Sequence, residues 1–169
     1  GDHAELYAQH AEGRSLTLED GIARGGATVD AGVGVRVIRG EAVGYASSER
    51  FDRASLFAAA RAASEIAAGG GLPAGTAPPL QTDAVPDYYP VATPSLTEPA
   101  TVPLALLRRA DATARAAAPS ITNVTASLRE EVKRIAIATS DGRLVADTQP
   151  MVRLSIAVVS VRDGDRQQG

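Results

Sequence analysis

The sequence predicts an α+β fold: a largely antiparallel sheet built from two strand blocks, about 4–48 and 122–162, with two helices, about 53–68 and 104–117, packed on it. Three observations lead there. Apolar and polar residues alternate with period two at both ends of the chain. Alanine and leucine recur at helical spacing in two stretches between them. A proline-rich span, 69–103, separates those two stretches.

In the first block Leu6, Ala8 and His10 alternate with Glu5, Tyr7 and Gln9, and Leu16 and Leu18 alternate with Ser15, Thr17 and Glu19. Gly13 is expected to lie between two strands, and Gly25-Gly26 to turn the chain into a Thr28–Ile38 strand. Arg39-Gly40-Glu41 then turns it back into Ala42–Ser47, which gives a meander of four or five strands. Within Asp30–Gly40, valines alternate with Gly32, Gly34 and Arg36. One face of that strand is therefore packed, while the other is almost bare backbone that a helix, a strand or an extended ligand can approach closely.

Asp52 suits the N-cap of the first helix, whose face carries Leu56, Ala60, Ala63 and Ala67. Phe57 and Ser64 extend that pattern, and Gly69 stops it. Eight of the ten prolines fall within 69–103, which precludes regular structure over most of that loop; Tyr88-Tyr89 is the element expected to pin it down. Pro103 fits the first turn of the second helix, with Leu107, Ala110, Ala114 and Ala117 aligned, and Pro119 ends it. In the second block, strands 122–129 and 132–139 are separated by a charged turn. Ser140-Asp141-Gly142 is a hairpin signal, 144–147 returns, and 151–161 is the most apolar strand, with Leu154, Ile156 and Val158 on one face.

A chain of 169 residues fits one domain and can bury roughly 70% of its unfolded surface. No apolar run approaches the roughly 18 residues of a membrane span, and the first residues lack a secretory signal, so the cytoplasm is the expected compartment. Net charge is −3, the basic residues are interspersed with acidic ones, and only six residues are aromatic. Nucleic-acid binding is disfavoured accordingly. One lysine against sixteen arginines, with abundant alanine, suggests a GC-rich bacterial genome.

The residues themselves carry no evident active site. Cysteine is absent, and His3 and His10 do not have the spacing of a helical zinc pair or a finger. Ser47-Ser48 lies beside Glu49 and Arg50 with no histidine placed to activate it. Phosphate-loop, dinucleotide and nucleophile-elbow patterns are all missing. Asn123-Val124-Thr125 matches a glycosylation acceptor but falls within an expected strand. What remains is a set of candidates for peptide binding or an interface: Gly32, Gly34, Arg36, Asp30 and Glu19. Glu19, Asp20 and Asp30 can together flank a cleft, although aspartate beside glycine more often makes a turn. Arg36 can bind a carboxylate or a main-chain carbonyl, or pair with an acid on a neighbouring strand.

The ordered set Ala4-Glu5-Leu6-Tyr7, Leu18-Glu19-Asp20-Gly21, Gly32-Val33-Gly34-Val35-Arg36, Gly44-Tyr45-Ala46, Val124-Thr125-Ala126-Ser127-Leu128, Thr139-Ser140-Asp141-Gly142 and Pro150-Met151-Val152-Arg153-Leu154-Ser155 resembles the TldD/PmbA family, the modulators of DNA gyrase, in its TldD branch. The resemblance lapses in the proline-rich span. It implies a zinc metallopeptidase that degrades or matures small or unfolded peptides in the bacterial cytoplasm, as a heterodimer with a PmbA/TldE-type subunit. The family's zinc site, a His-Glu-x-x-x-His helix and a later cysteine, has no counterpart here. The resemblance therefore implies a non-catalytic N-terminal domain spanning 1–169, with the catalytic C-terminal domain and its zinc absent from this chain. Such a domain either helps form the substrate cleft or docks a PmbA/TldE-type partner or a regulated protein such as DNA gyrase.

Overall fold

A computed structural model describes residues 2–68, 78–88 and 90–169. The elements in order are strands β1 (His3–Glu19), β2 (Ile22–Arg39) and β3 (Ala42–Ser48), helix α1 (Arg53–Ala68), strand β4 (Gln81–Thr82), a single 3-10 turn (Ser95–Thr97), helix α2 (Thr101–Ala117), and strands β5 (Ile121–Thr139), β6 (Arg143–Arg162) and β7 (Asp165–Gln168). The strands pair in the order β3-β2-β1-β5-β6-β4, with β7 on β6. The α+β class and the two helices are as the sequence predicts. Pairing of β2 with β3 and of β6 with β7 is antiparallel; the two-residue β4 joins β6 in parallel, from inside the proline-rich span.

Fewer and longer strands form than the glycine pattern suggests. Gly13 and Gly25-Gly26 make no turns; β1 and β2 run straight through them. Each of these glycines receives a side chain from elsewhere in the sheet. A Cβ on Gly13 would lie 2.8 Å from the Thr28 hydroxyl, and one on Gly25 would lie 2.7 Å from Leu16 Cδ2. The turn falls instead at Asp20-Gly21, both with positive φ (47° and 75°). That pair of left-handed residues is what a two-residue hairpin with the sheet's twist requires. The expected charged turn at 130–131 is also absent, because β5 continues through it and buries Glu130. Likewise β6 continues through Pro150, and Asp163-Gly164 turns it into the unforeseen β7.

The chain folds as two compact units, each taking part of β1, β2, β5 and β6. The first comprises residues 1–11, 29–90 and 133–149. Its core joins Val33, Val35 and Val37 of β2 to Ala59, Ala63 and Ala67 of α1, with Ala4, Leu6, Ala8, Leu56 and Ala60 packed around them. Alanine along the helix allows a very close approach: the backbone of α1 at Ala63 and Ala67 lies against Gly44 of β3, with no room for a Cβ. Asp52 caps α1 as expected, its carboxylate accepting from the Ser55 N–H (3.0 Å) and hydroxyl (2.8 Å). Phe57, expected on the buried face, is exposed beneath the Arg53 guanidinium. The stop at Gly69 and the contribution of Tyr89 lie outside the described residues.

The second unit comprises residues 12–28, 91–132 and 150–169. Its core joins Leu18, Ala126 and Leu128 to Leu107 of α2, flanked by Leu16, Leu106 and Ala110. Helix α2 begins at Thr101, slightly earlier than the sequence suggests, with Pro103 inside its first turn. Ala117, expected on its packed face, is exposed. Glu130, only 2% exposed, is held by Arg14 Nε at 2.6 Å. The same guanidinium donates to the carbonyls of Glu98 (2.7 Å) and Ser95 (3.1 Å), tying the segment before α2 to the sheet. The apolar row expected on β6 is not covered: Leu154 and Ile156 each remain 44% exposed, alongside Met151 and Val152.

Candidate functional site

Pleating decides which residues of the first unit are available. Val33, Val35 and Val37 face α1, so Gly32, Gly34 and Arg36 emerge on the opposite face of β2. On β1 the same rule packs the half-buried Leu6 and Ala8 against that core and puts Glu5, Tyr7 and Gln9 on the other side. On this side lies a shallow depression of about 260 Å³, lined by Tyr7, Gln9, residues 30–34, Tyr45 and residues 47–49 but not by Arg36 or Glu5.

Polar contacts organise its floor. The Tyr7 hydroxyl donates to Gln9 Oε1 (2.9 Å), and Gln9 Nε2 donates to Asp30 Oδ2 (2.8 Å). Asp30 therefore makes no turn; it sits within β2 as an acceptor. Arg36 pairs with Glu5 across the sheet, Nε to Oε1 at 3.0 Å, so of its two readings the structure gives the neighbouring strand's acid. Gly34 is not bare. A Cβ there would stand 2.5 Å from the Tyr45 hydroxyl, so the tyrosine ring lies over it, as aromatic side chains do over strand glycines. Gly32 is close to backbone only, with the Ser48 carbonyl 3.3 Å from a notional Cβ. β3 ends the strand order, and the depression reaches it at Ser47 and Ser48.

Four of the five candidate residues thus share one face. Glu19 belongs to the second unit, where it accepts from the Thr125 hydroxyl (3.3 Å) and helps line a separate depression of about 370 Å³ with Arg166. Beside it Asp20 is contacted by Arg115 (3.4 Å) and Asn123 (3.2 Å). Sequence reasoning overlooked Tyr45 and Tyr7. The signal was available, since Tyr7 follows Glu5 at strand period on β1 and Tyr45 stands opposite Arg36 in the β2–β3 register.

The residues present do not fit a metal ion. Among the described residues no three His, Cys, Asp or Glu side chains converge as a ligand set, and His3 approaches only Glu5, at 3.9 Å. Ser47-Ser48 has no catalytic partner either: Ser48 Oγ bonds with the backbone of Arg50 alone. Tyr7, Gln9, Asp30 and Tyr45 give this face aromatic surface and hydrogen-bonding groups that can hold a ligand. No helix among the described residues is long and apolar enough to cross a membrane.

Comparison with known proteins places these features in a wider set. Residues 4–67 match PmbA/TldA metallopeptidase domain 1, and residues 91–169 match the PmbA/TldA metallopeptidase central domain. The chain is 36% identical to a metalloprotease TldD homologue of Haemophilus influenzae and 32% identical to one of Buchnera aphidicola, in each case over 99% of this chain and 35% of the relative. It thus spans about a third of the length of these curated relatives. Among solved structures it is similar to a modulator of DNA gyrase from Thermotoga maritima (TM-score 0.72, 14% identity, 98% of this chain and 38% of that one). A TldE from Thermococcus kodakarensis shares the fold as well (TM-score 0.64, 13% identity, 98% and 38%).

Proposed function

Since the chain belongs to the PmbA/TldD family of metallopeptidases, we propose that it is the non-catalytic N-terminal part of a TldD-like enzyme that degrades or matures small or unfolded peptides, and that it helps form the substrate cleft. The metal, zinc in this reading, and the residues that cleave the bond belong to a catalytic C-terminal domain outside residues 1–169. The observation that carries the reading is the depression of the first unit. The edge of β3, which ends the strand order, offers main chain to an extended peptide at Ser47 and Ser48, and Tyr7 and Tyr45 beside the β2 glycines offer aromatic surface. Recognition by main-chain hydrogen bonds suits an enzyme that accepts varied unfolded sequences, because side chains contribute little to such pairing.

The test is a pair of variants, Gly32→Val and Tyr45→Ala, in the intact protein, with circular dichroism to check folding. We expect the KM for an unstructured peptide to rise about tenfold, the equivalent of roughly 1.4 kcal/mol, with kcat little changed. Unaltered KM in both well-folded variants would count against the cleft role.

A second reading has its own support. The exposed apolar residues Val152, Leu154 and Ile156 recur at strand spacing on one face of β6, an apolar row of the kind found at protein interfaces, and TldE is among the proteins of the same fold. In this reading the domain is an assembly module for a PmbA/TldE-type subunit or a regulated protein such as DNA gyrase. Size-exclusion chromatography with a PmbA-type chain separates the two: a stable complex weakened by Leu154→Lys favours assembly, and no complex favours the cleft alone.

A further inference from the structure

The second unit has an open sheet face of its own, with a different character from the first. Leu16, Leu18, Ala126 and Leu128 face α2, so pleating turns Ser15 and Thr17 of β1 and Ser127 and Arg129 of β5 the other way. They line a depression of about 330 Å³ together with Arg153 and Ser155 of β6. Two guanidinium groups on neighbouring strands therefore border one concavity amid four hydroxyls, and among the described residues neither has an ion pair or hydrogen bond. Both side chains are exposed, so water and salt screen much of the repulsion between like charges on neighbouring strands. A negative group between them reverses the sign of that interaction.

We propose that this depression binds a carboxylate of the peptide held by the domain, either an acidic side chain or a free C-terminus. Guanidinium forks match the planar carboxylate, and the Ser and Thr hydroxyls supply further donors. The lining comes from three strands and includes no helix start or nest of backbone N–H groups, the arrangement that usually marks phosphate sites. Choosing a peptide as the source of the carboxylate rests on the function proposed above.

The experiment is fluorescence anisotropy on the intact protein with labelled short peptides of one sequence: an internal Glu with amidated C-terminus, the Gln analogue amidated, and the Gln analogue with a free C-terminus, each with and without competing sodium phosphate. At least one carboxylate peptide should bind about tenfold more tightly than the neutral one, and the preference should vanish in the R129Q/R153Q double variant with neutral-peptide affinity intact. Which of the two binds more tightly identifies the source. The single variants R129Q and R153Q, each reducing the preference, serve if the double variant does not fold. Equal binding of all three peptides, a preference surviving the substitutions, or phosphate bound in place of any peptide preference would overturn the proposal. Those results leave the first unit untouched, since its variants, Gly32→Val and Tyr45→Ala, are read by the KM for an unstructured peptide.

Discussion

Glu130 and Asp52 are both carboxylates fixed by hydrogen bonds, but they differ in burial and therefore in consequence. Removing the Glu130 side chain leaves the Arg14 guanidinium, itself largely shielded, without its counter-charge. Breaking a buried pair in this way costs about 3–5 kcal/mol, so Glu130→Ala should shift urea unfolding by that amount, while an R14M/E130L pair should recover most of it. Asp52 is exposed, and its carboxyl is held below the ordinary range chiefly by the Ser55 N–H, then by the Ser55 hydroxyl, with Arg50 adding a smaller effect. A depressed carboxylate stabilises the fold above its unfolded value of about 3.9, and that contribution is lost as pH falls through the folded value. Asp52→Ala should therefore lower the thermal midpoint at pH 7 and change it little near pH 2. The cap at Asp52 was legible in the sequence because its partner lies three residues away. Glu130 was not, because its partner lies 116 residues away and a Glu-Glu pair reads locally as a solvated turn.

At the scale of elements, interior glycines decide how closely neighbours approach, and this is where sequence reasoning went astray. Alternation located the strands, but Gly13 and Gly25 look like turn residues until the partner side chains, Thr28 and Leu16, are known. The close approach of a helix foreseen for a glycine-rich strand face occurs at Gly44 of β3. A Cβ at Gly44 would collide with the Ala63 carbonyl oxygen and lie 2.8 Å from the Ala67 nitrogen, both helix backbone that cannot rotate away. Gly44→Ala should therefore displace α1 and cost about 3 kcal/mol in chemical denaturation. Gly34→Ala meets only the end of the exposed Tyr45 side chain, which can swing out, and should cost about 1 kcal/mol or less. Equal losses at the two positions would show that the helix is not seated as described.

For the molecule as a whole, the α+β class was legible because both strand blocks and both helices are written in local periodicity. The candidate face was only partly legible. Gly32, Gly34, Arg36 and Asp30 share it because they lie on one strand, but Glu19 falls in the other unit, and the tyrosines enter from β1 and β3 through pairings that the sequence does not state. In the function proposed, this chain grips unfolded peptide without cutting it. Its most direct measurement is an amide NMR titration of the protein with an unstructured peptide, followed by the mass of the peptide recovered. Saturable shifts at Gly32, Gly34 and Ser47, and an intact peptide, are expected. Absence of shifts at those residues under saturating peptide, or a cleaved peptide from this chain alone, would contradict it.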